Sequence, residues 1–196
     1  RMYPVFDEMR PGTAFLAEPF GARTQKLQKR LYTRSNCALT EHRILQTIIN
    51  DTHDPKADTS VWWQTDGVKV GDKINVRVEL NGDGTTLIVY EHRIKDENQS
   101  LKLEPDDWWL DKKFLGIGFS TGVTPLFAHV RYLAALNFGR TRKHPGAHYV
   151  LIVSVKNPRQ LMSHEEWLGL EKKYPENFRY HPVLTREWPE DWPYTR

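Results

Sequence analysis

The chain has 196 residues, 39% of them hydrophobic, so it is long enough for one large domain or two small ones, each with its own core. A formal charge of +3 gives no reason to expect a nucleic-acid partner, and no apolar run approaches the roughly 18 residues of a membrane helix. The first residues lack the apolar stretch of a signal peptide, so we expect a cytoplasmic location and no membrane partner.

The single cysteine, Cys37, excludes an intrachain disulfide and a four-thiolate zinc or iron–sulfur site built by this chain alone. His144 and His148 are four residues apart, but Pro145 and Gly146 between them disfavour a helical pair of metal ligands. We therefore predict no metal site, and any iron–sulfur chemistry must lie in a partner.

The first hundred residues contain short apolar or alternating runs separated by proline, glycine and aspartate, which is typical of antiparallel β structure. These runs are FLAEPF, HRILQTII and INVRVEL.

The sequence NGDG (81–84) then predicts a hairpin turn, because glycine tolerates positive φ. A phosphate-binding loop is the alternative at NGDG, but no helix follows to supply its dipole. From about Ile94 to Asp111 a polar, proline-containing stretch predicts a connection between domains.

The second half changes to a β-α-β-α-β order. Its predicted strands are FLGIGF, HYVLIVSV and FRYHPVL. Thr124 and Pro125 suit the N-cap and first residue of one helix, and Ser163 and Glu166 have capping-box spacing at the start of the other. This order predicts a parallel sheet covered by helices. The tryptophan pairs, such as Trp62 with its neighbour Trp63, are interpreted as core and domain packing rather than as a partner surface.

The loop GIGFSTGVTP (116–125) joins the first of these strands to its helix, where backbone N–H groups and the helix dipole favour a phosphate. A tight turn without ligand is the alternative. The glycines are spaced one residue wider than G-x-G-x-x-G, and no acidic residue lies about 20 positions on to bind an unmodified ribose. From Lys112 to His164 the chain has basic residues but no Asp or Glu. The segment therefore favours NADP(H) over NAD(H), with a solvated basic surface as the alternative.

Two motifs carry a resemblance to a known family. GFSTGVTP resembles the G-x-G-T-G-[IV]-[AT]-P loop of ferredoxin–NADP reductases, and RLYTRSN (30–36) is similar to their flavin motif R-x-Y-[ST]-x-x-S. RPGTAFLAEP, VKVGDKINVRVEL and VLTRE match weaker family segments in the same order. The resemblance implies two domains: an antiparallel Greek-key β-barrel that binds flavin over residues 1–111, and a parallel α/β nucleotide-binding domain over residues 112–196. We expect the first to be incomplete at its N-terminus and the second at its C-terminus.

The flavin motif implies roles for individual residues. Arg30 would contact the flavin phosphate region, Tyr32 would stack on the isoalloxazine, and the Thr33 hydroxyl would approach its reactive edge. Tyr32 and Thr33 are therefore the expected catalytic positions. Ser60 corresponds to a family serine near the flavin pyrophosphate, although the glycine that precedes that serine is missing here. Asn36 replaces the motif's final serine, so local flavin contacts are expected to differ.

In the second domain, the resemblance implies that Gly118, Thr121 and Gly122 line the path of the nicotinamide and the pyrophosphate. Thr185 and Arg186, within VLTRE, match family positions that contact the 2′-phosphate. Arginine suits that task because its planar fork can hold two phosphate oxygens. A surface arginine without a ligand is the alternative.

The resemblance implies an oxidoreductase with FAD and NADP that passes electrons from NADPH to a one-electron acceptor. Because this chain cannot build an iron–sulfur centre, we expect the acceptor to be a ferredoxin, a flavodoxin or an oxygenase component on another chain. The alternatives are an NADH-dependent reductase component of an oxygenase system, and a non-catalytic flavin-binding subunit of a larger complex. Since the family's second domain continues with further strands, we expect the isolated chain to be a poor reductase.

Overall fold

The computed structural model describes residues 11–50, 54, 56–64, 68–78, 93–95, 101–103, 108–142 and 145–194. In the first half of the chain, β1 (Ala14–Ala17) pairs antiparallel with both β2 (Arg30–Thr33) and β3 (Val76–Val78), in the order β2-β1-β3. Helix α1 (Asp58–Gln64) lies between β2 and β3 in the sequence. Strands β4 (Arg93–Lys95) and β5 (Leu101–Leu103) form a separate antiparallel pair.

The prediction of antiparallel β structure in the first half is confirmed. Among the described residues these strands form one sheet of three strands and one of two, and they do not close into a barrel. The predicted hairpin turn at 81–84 lies outside the described residues.

The prediction of a strand at HRILQTII is wrong. Residues 42–50 have no regular secondary structure and run between the two halves of the molecule. Ile48 packs against the core of the second half, while Gln46 forms hydrogen bonds with the loop that follows β2. Ile48 therefore serves the core of the second half, while Ile44 is exposed, so the run is not paired as a strand.

In the second half, the structure confirms the predicted β-α-β-α-β order. Strands β6 (Lys113–Phe119), β7 (His148–Val155) and β8 (Phe178–Leu184) are parallel in the order β6-β7-β8. Helix α2 (Thr124–Ala135) connects β6 to β7, and helix α3 (His164–Lys173) connects β7 to β8. None of the helices in the described part of the chain is long and apolar enough to cross a membrane.

One face of this parallel sheet carries the core of the second half. Tyr149, Leu151 and Val153 alternate along β7 and are buried, because successive side chains of a strand point to opposite faces. They belong to one cluster with Phe127 of α2 and Trp167 of α3, and burying each such large side chain is worth about 1.5 to 3 kcal/mol. This cluster also contains residues of the short 3-10 turn Trp108–Asp111, so the core of the second half begins before β6.

The start of α2 differs by one residue from the prediction. A 3-10 turn (Ser120–Val123) follows β6 directly, and α2 begins at Thr124 with Val123 in the N-cap position. The Thr124 hydroxyl donates to the carbonyl of Thr121 at 2.6 Å instead of capping the helix. The glycine loop is therefore wound into a tight turn on the N-terminus of α2.

The capping box predicted at the start of α3 is also wrong. Ser163 does occupy the N-cap position, but its side chain makes no capping hydrogen bond. Its hydroxyl oxygen instead accepts a hydrogen bond from Arg131, and the carboxylate of Glu166 pairs with the same guanidinium. An arginine on α2 thus engages the two side chains that would otherwise cap α3.

Candidate active site

The residues of the flavin motif lie on and after β2. Arg30 and Tyr32 are two residues apart on this strand and therefore face the same side. Phe15 of β1 lies opposite Tyr32 in the register, with the ring centroids 5.9 Å apart. Because Phe15 is buried and Tyr32 is half-buried, the Tyr32 ring is supported by the core while part of it is accessible. Arg30 is exposed and donates to the carbonyl of Lys29.

Trp63 of α1 fixes the Tyr32 side chain, a relationship that the sequence did not reveal. Its indole Nε1 donates to the Tyr32 hydroxyl at 2.8 Å, and the two rings meet edge-on with centroids 6.0 Å apart. The phenol oxygen accepts this bond, so its own hydrogen can serve as a donor to another group. The interpretation of the pair as packing residues was incomplete, because one indole orients a predicted site residue.

Helix α1 is held in place by its first residue, Asp58. The carboxylate accepts hydrogen bonds from the hydroxyl of Thr24 at 2.6 Å and from the backbone N–H of Arg23. The Thr24 hydroxyl makes the largest contribution, and together these donors lower the pKa of Asp58 to about 2, although desolvation acts in the opposite direction. Ser60 is two residues further along α1 and three before Trp63, so the two residues are neighbours on the surface of the helix.

The loop after β2 is built on two buried polar side chains. Arg34 donates from Nε to the side-chain oxygen of Asn36 at 3.0 Å, and its backbone N–H donates to the carbonyl of Thr13. The Asn36 amide also binds the carbonyl of Ile44 and the backbone N–H of Gln46. Asn36, which replaces the serine of the family motif, therefore organises this loop, and the loop in turn fixes the end of β2 at Thr33.

The predicted nucleotide residues gather at the carboxyl edge of the parallel sheet, the usual ligand-binding edge of such sheets. Gly118 lies near the end of β6, where a Cβ atom would come within 2.9 Å of the Val123 Cα. At Gly122 a Cβ atom would meet nothing within 4 Å. Gly118 is thus required by the packing of the turn itself, while Gly122 leaves open space beside the N-terminus of α2.

A cavity of about 330 Å³ lies at this edge. Its lining includes Thr121 from the glycine loop, Asn157 and Arg159 from the segment after β7, and Ile49 and Asn50 from the first half. Both halves therefore contribute to it. The side-chain oxygen of Asn157 is buried and accepts no hydrogen bond from the described residues, which is costly unless a ligand supplies a donor.

Thr185 and Arg186 follow β8 beside the same segment. The backbone N–H and the hydroxyl of Thr185 both donate to the carbonyl of Val155, at 2.9 and 3.2 Å. The backbone N–H of Arg186 donates to the carbonyl of Lys156, and the residue is exposed. Since the only hydroxyl proton of Thr185 is already used, the exposed cationic side chains of Arg186, Arg159 and Lys156 are the donors here that suit an anionic group.

The geometry fits both groups that the motifs imply. For a nucleotide it offers open space at Gly122, an unfilled acceptor on Asn157 and two exposed arginines. For a flavin it offers an accessible aromatic ring at Tyr32 with an exposed cation, Arg30, on the same strand face. Sequence reasoning did not select Trp63, Asn157 or Arg159 as site residues. The position of Asn157 and Arg159 just after a predicted parallel strand was the signal that could have identified the latter two.

Comparison with solved structures identifies proteins that share this fold. The chain is similar to a ferredoxin–NADP⁺ reductase from Plasmodium falciparum with 2′-phospho-AMP, at a TM-score of 0.59 and 16% identity, over 94% of this chain and 62% of that one. It is also similar to the cytochrome b5 reductase domain of Ulva prolifera nitrate reductase, at a TM-score of 0.61 and 16% identity, over 96% and 65% of the two chains.

A third similar structure is the FAD/NAD-binding domain of a nitric oxide dioxygenase from Vibrio cholerae, at a TM-score of 0.62 and 14% identity, over 93% and 64% of the chains. No family model matches the sequence, and no curated protein matches it significantly. The chain has the fold of the ferredoxin–NADP reductase family, which confirms at the level of the fold the resemblance seen in its motifs. It spans less than two thirds of the length of each of these solved chains.

Proposed function

We propose that this chain is the flavin-binding and nicotinamide-binding part of an oxidoreductase that moves electrons between NADP(H) and a one-electron acceptor. The observation that carries the proposal is the cavity at the carboxyl edge of the parallel sheet. It combines the glycine loop with an unfilled buried acceptor, and residues of the flavin-motif half form its other wall. A bound nicotinamide nucleotide would therefore lie between the two motifs.

The first half would hold FAD. Arg30 would bind its phosphate region by charge-assisted hydrogen bonds, and Ser60, at the start of α1, would lie near its pyrophosphate. Tyr32 would cover one face of the ring system, with its hydroxyl oriented by Trp63. The hydroxyl of Thr33 would act as a donor at the edge where charge develops. When bound, FAD accepts a pair of electrons as hydride and can release them singly.

The second half would hold NADP(H). Gly118 permits the tight turn, and Thr121 and Gly122 would border the pyrophosphate at the N-terminus of α2, where the helix dipole favours a negative charge. The Asn157 side-chain oxygen would accept a hydrogen bond from an amide or amino group of the nucleotide. Enclosure between the two halves would exclude water from the reacting groups.

The preference for NADP(H) over NAD(H) would come from arginine. Arg159 lines the cavity, and Arg186, which matches the family's 2′-phosphate position, bonds through its backbone to Lys156 in the same segment; both arginines are exposed. Thr185 would act as the residue that connects this segment to β7, since its hydroxyl already bonds Val155. The Plasmodium enzyme with 2′-phospho-AMP has the same fold and supports this assignment.

The electron acceptor would be a ferredoxin, a flavodoxin or an oxygenase component. The chain offers one cysteine, so an iron–sulfur acceptor must be a separate protein or domain. The solved proteins with this fold include an Amycolatopsis cytochrome P450 reductase and the cytochrome b5 reductase domain, which fits an electron-transfer role.

The test is an absorption spectrum of the purified protein reconstituted with FAD, recorded without oxygen before and after addition of NADPH or NADH. We expect retained flavin bands that bleach with NADPH and bleach more slowly with NADH. Faster bleaching with NADH would indicate the alternative NADH-dependent reductase. Retained flavin that neither nucleotide bleaches would indicate the non-catalytic flavin-binding subunit, and failure to bind flavin would refute the proposal.

A further inference from the structure

The guanidinium of Arg131 connects the two halves of the molecule. Its Nη1 donates to the carbonyl of Ser35 at 2.8 Å, and Ser35 lies in the loop after the flavin motif. Its Nε and Nη2 donate to the two carboxylate oxygens of Glu166 at 2.7 and 2.6 Å, and Nη2 also donates to the hydroxyl of Ser163. One side chain thus bonds to α3 on one side and to the first half on the other.

Packing fixes the Arg131 side chain in this orientation. Its guanidinium carbon lies 5.2 Å from the ring centroid of Trp167 and 5.8 Å from that of Phe127, both of which are fully buried. The Arg131 side chain is only 17% exposed, whereas Glu166 is 38% exposed, so the packing of the arginine, more than the strength of the ion pair, holds the guanidinium in place. The arginine is therefore a rigid bridge and not a flexible surface group.

The bridge joins two segments that carry predicted site residues, the loop after β2 and helix α2. Ser35 is two residues after Thr33, and its backbone N–H and hydroxyl are both bonded to Gln46, so its carbonyl cannot move without the loop. Arg131 lies two turns into α2, whose N-terminus carries the glycine loop. A displacement between the two halves would therefore have to break the bond between Arg131 and Ser35.

We propose that Arg131 is a positioning residue that sets the separation between the flavin-motif loop and the glycine loop, and thereby the alignment of the two reacting rings. This inference rests on the proposed function. Hydride transfer requires the donor and acceptor atoms about 3 to 3.5 Å apart, and a misplacement of about 1 Å can cost on the order of a hundredfold in rate. Arg131 touches neither ring in this scheme and acts only through the two loops.

The kinetic test uses anaerobic stopped-flow reduction of the FAD-loaded protein by saturating NADPH. We expect Arg131→Ala to slow the limiting rate of flavin reduction by about ten- to a hundredfold, with flavin content and the Kd for NADP⁺ unchanged. Arg131→Lys keeps the charge beside Glu166 but has no planar fork, so it should recover only part of the rate. The matched control is Arg179→Ala, which removes an exposed arginine–glutamate pair confined to the second half.

An unchanged limiting rate in Arg131→Ala would overturn the inference. So would a loss that appears only as a higher Kd for NADP⁺, because Arg131 would then be a binding group. A purely structural role would lower the melting temperature but leave the limiting rate per bound flavin intact, which would also contradict positioning.

A second measurement does not depend on electron transfer. Spin labels at Lys26→Cys and Lys172→Cys, two exposed positions in opposite halves, report the distance between them by pulsed electron resonance, with buried Cys37 replaced by Ala. We expect Arg131→Ala to broaden this distance distribution and Arg179→Ala to leave it unchanged. An unbroadened distribution overturns the inference even if the protein oxidises NADPH.

Flavin that neither nucleotide reduces in the wild type would refute the proposed function. The distance between the two spin labels would still show whether Arg131 fixes the two loops.

Discussion

The indole Nε1 of Trp63 and the hydroxyl of Tyr32 are 2.8 Å apart, although the two residues are separated by 31 positions in the chain. Replacing Trp63 with Phe keeps an aromatic ring but removes the donor. A typical intramolecular hydrogen bond contributes about 0.5 to 1.5 kcal/mol, so we expect the Kd for FAD to rise by roughly twofold to tenfold. Fluorescence titration of FAD into the apoprotein measures this change.

Two further variants make the Trp63 test specific. Tyr32→Phe removes the same hydrogen bond from its other end, so the effects of the two substitutions should not add in the double variant. Trp188→Phe is the matched control, because the indole of Trp188 also donates a hydrogen bond, to the carbonyl of Leu184 in the second half. Additive effects of the Trp63 and Tyr32 substitutions would argue against a shared role in binding flavin.

Arg30→Ala should weaken flavin binding by about 1.5 to 3 kcal/mol, because a charge-assisted contact to the flavin phosphate would be lost. Lys29→Ala is the control, since the neighbouring lysine is also exposed but lies just before β2 and outside the flavin motif. Equilibrium dialysis against FAD gives both affinities. Equal affinities for Arg30→Ala and the wild type would remove Arg30 from the flavin site.

The two glycines of the loop should respond differently to alanine. At Gly118 the new methyl group would collide with Val123, so we expect a loss of about 1 to 3 kcal/mol in the free energy of unfolding. At Gly122 it would meet open space, so stability should be unchanged while NADP⁺ binding weakens. Urea unfolding and calorimetric titration separate these outcomes. Unimpaired NADP⁺ binding by Gly122→Ala would show that the pyrophosphate does not approach this position.

Arg186→Ala should weaken binding of NADP⁺ by about 1.5 to 3 kcal/mol while leaving NAD⁺ almost unaffected, because only NADP⁺ carries the 2′-phosphate. Arg159→Ala should act in the same direction. Arg179→Ala, at an exposed position on β8, serves as the control for loss of positive charge. Calorimetric titration with both nucleotides is the measurement, and an equal loss for NAD⁺ and NADP⁺ would mean that Arg186 does not recognise the 2′-phosphate.

His129 should make stability sensitive to acid. It lies on α2 among the rings of Trp109, Phe114 and Tyr149, with centroid distances of 4.3, 4.8 and 5.2 Å. Burial lowers its pKa from the usual 6.5 to about 3, so the native imidazole stays neutral while the unfolded chain takes up a proton below pH 6.5. The neutral His129 therefore costs no stability above pH 6.5, and the free energy of unfolding decreases as the pH falls from 6.5 toward 3.

Urea unfolding at pH 7 and pH 5 tests this effect. Between these values the wild type should lose about 2 kcal/mol more stability than His129→Leu, in which the titrating group is absent. His181→Gln, at an exposed position on β8, should retain the wild-type dependence on pH. If His129→Leu and the wild type lose stability equally, the acid sensitivity resides elsewhere.

Local pattern predicted the second half well. The order of β6, α2, β7, α3 and β8 follows from apolar runs and glycine turns, because each element there is formed by neighbouring residues. The capping box of α3 was not predicted correctly, since Ser163 and Glu166 bond Arg131, 32 and 35 residues away. A capping box and a long-range ion pair use the same residue types, and sequence alone does not separate them.

In the first half, the residues that hold the candidate flavin site in place could not be predicted from the sequence. The motif at 30–36 identified candidate residues, but their supports come from distant segments: Trp63 for Tyr32, and Gln46 for the loop at Ser35. The run at 42–49 predicted a strand because it is a short apolar run of the kind that strands contain. In the structure Ile48 packs against the core of the second half while Ile44 is exposed, and no local pattern in the sequence records that difference.

The segment 42–50 also bears on how this architecture can be recombined. Ile48 completes the core of the second half, and Ile49 and Asn50 line the cleft, although all three belong to the first half in the sequence. A chimera that joined this first half to the nucleotide-binding half of another reductase would place these residues against a surface shaped for a different segment. The natural unit of exchange is therefore the nucleotide-binding half together with residues 42–50, and a junction placed only near residue 111 would divide it.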